Sequence, residues 1–106
     1  MTSASFNILL ALAQGERHGY AIMKEAEAQG LRLGPGTLYT ALAKLLSLGL
    51  IVEGEERADE NDQRRRYYRI TPPGLSAVRA EAEQLMKLAQ VARRRLKAPT
   101  PARVLP

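Results

Sequence analysis

The 106-residue chain has no cysteine and no tryptophan, and holds only one histidine, His18, and one phenylalanine, Phe6. Without cysteine there is neither a disulfide scaffold nor a thiolate zinc site. A single histidine leaves a His-rich metal site or a Ser-His-Asp constellation almost no material, so no cofactor is called for and an enzyme is not expected. No apolar run reaches the roughly 18 residues that span a bilayer. The first apolar stretch, Phe6 to Ala13, lacks the basic flank and cleavage pattern of a secretory signal. The expectation is a cytoplasmic protein with no membrane partner, small enough for a single core.

What is present is charge, unevenly placed. Of 16 basic and 11 acidic side chains, residues 1–56 hold 4 and 6, a net of −2, while residues 57–106 hold 12 and 5, a net of +7. The excess gathers in Arg64-Arg65-Arg66 and in Arg93-Arg94-Arg95 with Lys97. Clustered cations of this kind suit a polyanion such as nucleic acid, although a solvated surface or a helix end opposing its own dipole uses the same residues.

Periodicity divides the chain into helices, a hairpin and a long last helix. Ser5 or Ser3 can cap a first helix with apolar positions Phe6, Leu9, Leu10 and Ala13, ended by Gly15. The turn Glu16-Arg17-His18 leads to a second helix from Gly19 to Gln29, facing inward through Tyr20, Ile22, Met23 and Ala26. After an extended link, Pro35 opens a third helix that runs through Leu38, Leu42, Leu45 and Leu46 to Gly49. Leu50–Glu56 and Arg64–Thr71 read as strands around the polar tip Ala58–Gln63, a β-hairpin with a loose end. In the second strand Arg66, Tyr68 and Ile70 share one face and Arg65, Tyr67 and Arg69 the other.

From Pro73 to Lys97 the composition is helical again. Leu75, Val78, Ala82, Leu85, Ala89, Ala92 and Leu96 are spaced 3, 4, 3, 4, 3, 4, an unbroken heptad series. Such a helix extends roughly 37 Å, more than a three-helix core can cover, so the same stripe on a second copy is the simplest partner. The alanines allow close approach, leaving open a packed seam or a cavity. Pro99 and Pro101 stop the helix, and residues 98–106 are expected to be a disordered tail.

The fold expected is mainly α with a small β-hairpin. It is a winged helix-turn-helix over residues 1–72, followed by a dimerisation helix over residues 73–97. In such modules one helix enters the major groove and the hairpin lies along the neighbouring backbone. The third helix is suited to that task. Its leucines face inward, while Thr37, Tyr39, Thr40 and Lys44 offer hydroxyls and a cation to bases and phosphates. Gly34 and Gly36 leave its N-terminus uncluttered for a phosphate.

Four fragments then carry a resemblance: His18-Gly19-Tyr20-Ala21-Ile22, Gly36-Thr37-Leu38-Tyr39-Thr40-Ala41-Leu42, Leu48-Gly49-Leu50-Ile51, and Arg65-Arg66-Tyr67-Tyr68-Arg69-Ile70-Thr71 with Gly74. In order and spacing the chain resembles PadR-family transcriptional regulators across residues 5–97, in the short form with one C-terminal helix. The resemblance implies a homodimeric repressor that binds double-stranded operator DNA and is released by a small-molecule effector. It places Gly36, Thr37 and Tyr39 at the DNA-facing start of the third helix, Tyr20 near the backbone, and Arg64, Arg65 and Arg66 near phosphates. One departure is the acidic wing tip, Asp59, Glu60 and Asp62, which phosphate would repel, so contact is expected at the base of the wing. Another is the missing tryptophan, which in some relatives stacks on aromatic drugs. The competing reading is a winged-helix protein-interaction module without DNA. His18 is read as a cap or packing residue, and Met23 and Met86 as packing residues.

Overall fold

The computed structural model describes residues 1–97; the tail expected over residues 98–106 lies outside them. Helix α1 (Ser3–Ala13) is followed by a two-residue strand β1 (Arg17–His18), α2 (Gly19–Ala28) and α3 (Pro35–Ser47). Strands β2 (Ile51–Ala58) and β3 (Arg64–Ile70) precede α4 (Pro72–Lys97). This is a winged helix-turn-helix with a long C-terminal helix. The cap of α1 is Thr2, not Ser3 or Ser5: its Oγ1 accepts the Ser5 N–H at 3.1 Å, and Ser5 itself is buried. The buried face of α1 also differs from expectation. Ile8, Leu9, Ala11 and Leu12 point inward, Leu10 is 42% exposed, and Phe6 only flanks the core. Residues 8–13 are apolar on every side, so their periodicity does not single out a face.

Helices α2 and α3 end alike. Beyond α2, Gly30 takes φ +88°, its N–H bonds the Glu27 carbonyl and the Leu31 N–H bonds Ala26 at 2.9 Å. Beyond α3, Gly49 takes φ +71°, with Gly49 N–H on Leu46 and Leu50 N–H on Leu45. Both are Schellman stops, which require the left-handed residue that glycine supplies without strain. The core is built by Ile8, Leu9, Leu12, Ile22, Leu38, Leu42, Leu45 and Ile51, all fully buried. Leu38, Leu42 and Leu45 lie on one side of α3, which aims its opposite side at solvent.

The wing has three strands rather than two, in the order β1-β3-β2, all antiparallel. Arg17 pairs with Tyr68 and His18 with Tyr67. A strand of two residues carries no period to read. The hairpin end is tied, not loose. The Asp59 carboxylate accepts the N–H groups of Asn61 and Gln63 at 2.9 Å, Asp59 N–H bonds the Gln63 carbonyl, and Asp62 takes φ +64°.

A threonine joins the wing to the last helix. Thr71 Oγ1 donates to the Gly49 carbonyl at 2.7 Å and accepts the Gly74 N–H at 3.1 Å, while Thr71 N–H bonds the Leu50 carbonyl. Helix α4 then runs for 26 residues, and the described chain measures 60 Å by 27 Å by 21 Å. Only the start of the stripe is covered. Val78 is buried and Leu75 and Ala82 are half-buried, whereas Leu85, Ala89, Ala92 and Leu96 are exposed, Leu96 at 83%. Met86 and Leu88 are exposed too, so Met86 packs against nothing in its own chain core, while Met23 does.

Candidate nucleic-acid interface

The leucine face of α3 fixes what its outer side can present. At 100° per residue, Thr37 and Tyr39 fall on opposite flanks of the helix, with Gly36 and Thr40 between them on its crest. On the Tyr39 flank, the N-terminus of α2 and the wing enclose a cleft of about 290 Å³ lined by His18, Gly19, Tyr20, Tyr39, Arg64, Arg65, Arg66 and Tyr68. On the other flank, a groove of about 610 Å³ between α1 and α3 is lined by Thr2, Ser5, Gly36, Thr37, Thr40 and Lys44, among others. The nine residues expected to face DNA therefore divide. Tyr20, Tyr39, Arg64, Arg65 and Arg66 come together in the cleft, and Gly36, Thr37, Thr40 and Lys44 lie across the crest of α3.

Sequence reasoning did not place His18, Gly19 or Tyr68 in this site. Gly19 is closely approached: a β-carbon would stand 3.1 Å from the Tyr39 hydroxyl and 3.3 Å from Leu38 Cδ2, so both would have to give by a few tenths of an ångström. Tyr20, expected on the inward face of α2, is 47% exposed, and Tyr39 is 56% exposed. Gly36 has open space around it, since a β-carbon there would meet nothing within 4 Å. The start of α3 lacks a side-chain cap, so its free N–H groups stay available to an anion.

The arginines of β3 stand in a field of carboxylates. Arg65 Nε is 3.1 Å from Asp59 and its guanidinium lies 5.4 Å over the Tyr20 ring. Arg66 reaches Glu53 at 3.3 Å and Glu56 at 3.8 Å. Arg64 bonds the Glu56 carbonyl and has no ion pair among the described residues. Arg57, opposite Arg65 in the ladder, stacks on Tyr67 at 3.6 Å and shares Glu16 with Arg69. The Gln63 N–H, followed by Arg65 and the Asn61 N–H, holds the Asp59 carboxyl below its ordinary value. Of the three carboxylates at the tip, that of Asp59 is turned inward onto Arg65, which offsets its charge. Burial, then Glu53 and Tyr39, pushes the Tyr68 hydroxyl up, so it stays a neutral donor.

His18 caps α2: its Nδ1 accepts the Ala21 N–H at 3.2 Å, and Tyr67 meets the ring edge-on at 5.3 Å. Burial lowers its proton affinity below the ordinary value of 6.5, helped by Arg65 and opposed by Asp59 and Glu60. A lowered value means that the unfolded chain binds the proton more readily. The contribution of His18 is then fully present above about pH 6.5 and is lost as pH falls through the folded value. Melting should drop by a few degrees between about pH 7.5 and pH 5.5, the cost of losing one cap acceptor. His18→Asn, which keeps an acceptor that does not titrate, should flatten that dependence. An unchanged slope in the variant would dismiss the cap as its source.

Among the described residues no group of three or more His, Cys, Asp or Glu side chains could hold a metal ion, and no helix is long and apolar enough to cross a membrane. What the site offers is hydroxyls, guanidinium groups, an amine and free helix N–H groups around one exposed helix. Residues 8–80 match the family described as "Transcriptional regulator PadR-like family". The chain is 37% identical over 84 residues to the transcriptional regulator Rv3488 of Mycobacterium tuberculosis, covering 79% of this chain and 77% of that one. It is 41% identical over 86 residues to an uncharacterized 37.1 kDa protein in a transposon of Streptomyces fradiae, covering 80% of this chain but spanning only 24% of that protein. A PadR family transcription regulator of Clostridium difficile, 24% identical, superposes with a TM-score of 0.79 over 90% of this chain and 99% of its own.

Proposed function

Because the chain belongs to the PadR-like family of transcriptional regulators, we propose that it acts in the cytoplasm as a homodimeric repressor, reading operator DNA with α3 and the base of the wing. The observation that carries this reading is the convergence of Tyr20, Tyr39, Arg64, Arg65 and Arg66 on one flank of α3, with Thr37 and Lys44 on the other. A helix laid in the major groove presents its two flanks to the two phosphate walls and its crest to the bases. Gly36 and Thr40, small and exposed, let that crest approach closely. Residues 1–72 would form the reading unit and residues 73–97 the dimer arm, with Leu75, Val78, Ala82, Leu85, Ala89, Ala92 and Leu96 along the seam. The support for a second copy is the uncovered apolar length of α4 beyond Ala82. A small effector lodged between the long helices and the reading units would change their crossing angle, and with it the separation of the two recognition helices.

The test is fluorescence anisotropy on the DNA immediately upstream of the coding sequence. Two recognition helices on a two-fold axis should protect half-sites about 34–36 Å apart, or a multiple of that. With Lys44, Arg64, Arg65 and Arg66 from each protomer on phosphates, the log–log salt slope should be about −7. Tyr39→Ala with Thr40→Ala should weaken binding by at least about tenfold, the cost of one or two lost contacts of about 1–3 kcal/mol each. A flat salt response, or alanine variants that bind DNA as well as the parent, would favour a protein-interaction module instead.

A further inference from the structure

The ladder between β2 and β3 has one irregularity. Glu53 pairs with Tyr68 and Glu56 with Arg66, so three residues along β2 answer to two along β3. In a regular strand residues three apart point to opposite faces. The β-bulge around Gly54 and Glu55 removes that alternation, and both Glu53 and Glu56 emerge on the face of Tyr68 and Arg66. Gly54 fits the site, since a β-carbon there would press on Glu16 Oε1 at 3.3 Å. The outcome is a guanidinium held from one strand by two carboxylates, Glu53 at 3.3 Å and Glu56 at 3.8 Å, at the edge of the cleft beside Tyr39.

We propose that Glu53 and Glu56 act as internal phosphate surrogates on Arg66 and so set the overall strength with which this surface binds a duplex backbone. This rests on the DNA-binding reading above. Any duplex backbone must displace two carboxylates before Arg66 can bond a phosphate, and that cost falls on every sequence alike. On a correct site the contacts of α3 with the bases offset it; on arbitrary DNA nothing does. The clamp thus lowers affinity for every duplex by the same factor, so that only sites with good base contacts stay bound, and leaves discrimination to α3. Arg64 bonds a neutral carbonyl rather than a carboxylate, so it gives up less than Arg66 on meeting a phosphate.

The experiment is a double-mutant cycle read by anisotropy on a labelled duplex of arbitrary sequence. Glu53→Gln with Glu56→Gln keeps side-chain size, and superimposable melting curves confirm the fold. Exposed pairs of this kind are each worth a factor of a few, so the pair of substitutions should tighten binding about three- to tenfold. In an Arg66→Gln background the same substitutions should change binding less than about twofold. Glu60→Gln with Asp62→Asn, an equal change of charge on the same hairpin, should give the same gain whether or not Arg66 is present. An equal gain from the Glu53 and Glu56 substitutions in both backgrounds would overturn the clamp while leaving DNA binding intact. A wild-type protein and variants that all leave both the arbitrary and the upstream duplex unbound would overturn the DNA-binding reading, and the clamp with it.

Discussion

Gly74→Ala should lower the melting temperature by roughly 10–20 °C, the shift that a loss of about 2–3 kcal/mol produces in a domain of this size. A β-carbon at this position would overlap the Leu50 carbonyl oxygen and stand 2.7 Å from Ile70 Cγ1. Neither neighbour can yield. The Leu50 carbonyl is fixed by the Thr71 N–H, and Ile70 packs on the core. Relief would require the first turn of α4 to lift off the end of α3, breaking the bond from Gly74 N–H to Thr71 Oγ1. Gly36→Ala is the matched control. Its β-carbon meets nothing within 4 Å, so alanine there should leave stability unchanged or raise it by up to about 1 kcal/mol. Thermal melts of the two variants side by side decide the matter: equal melting temperatures would contradict the close approach of α4 to the Leu50 carbonyl.

Leu85→Glu with Ala89→Glu should separate the protein into single chains and reduce operator affinity by at least about a hundredfold. Both side chains lie on the exposed part of the α4 stripe, so two carboxylates there leave the core of one protomer untouched. In a dimer they would face an apolar partner, where an unpaired buried charge costs several kcal/mol. Losing the second half-site removes the gain from tethering, which is commonly 10²–10⁴. Sedimentation would show the parent at twice the chain mass and the variant at one, with unchanged melting of the winged unit. A parent that sediments as one chain at micromolar concentration would end the dimer proposal.

The elements that sequence reasoning located best are those whose local chemistry admits one solution. Pro35 opens α3, Gly30 and Gly49 stop their helices, and the leucines of α3 identify its inner face without ambiguity. Where chemistry was degenerate the reading slipped. The apolar run of α1 has no polar side to orient it, so its spacing points Leu10 inward where the fold buries Ile8. A strand as short as β1 is made by the edge of β3, not by its own residues. The site was legible as a set of residues but not as a shape. The spacing of Thr37 and Tyr39 puts them on opposite flanks of α3, but the depression on each flank is made by other elements, and the pairing of Arg66 depends on a bulge that only the ladder reveals.

The Thr71 hydroxyl has a mechanical consequence. By bonding the carbonyl of Gly49 on one side and the N–H of Gly74 on the other, it leaves no slack at the joint between the end of α3 and the start of α4. Helix α4 is anchored there and along α1 as far as Ala82, and the stretch beyond it forms a free arm of roughly 22 Å at 1.5 Å per residue. A tilt of about 5° at the base of that arm carries the far tip through roughly 2 Å. Run in reverse, a displacement imposed on the tip reaches the reading unit by two routes, the packing of α4 on α1 and the Thr71 joint beside the end of α3.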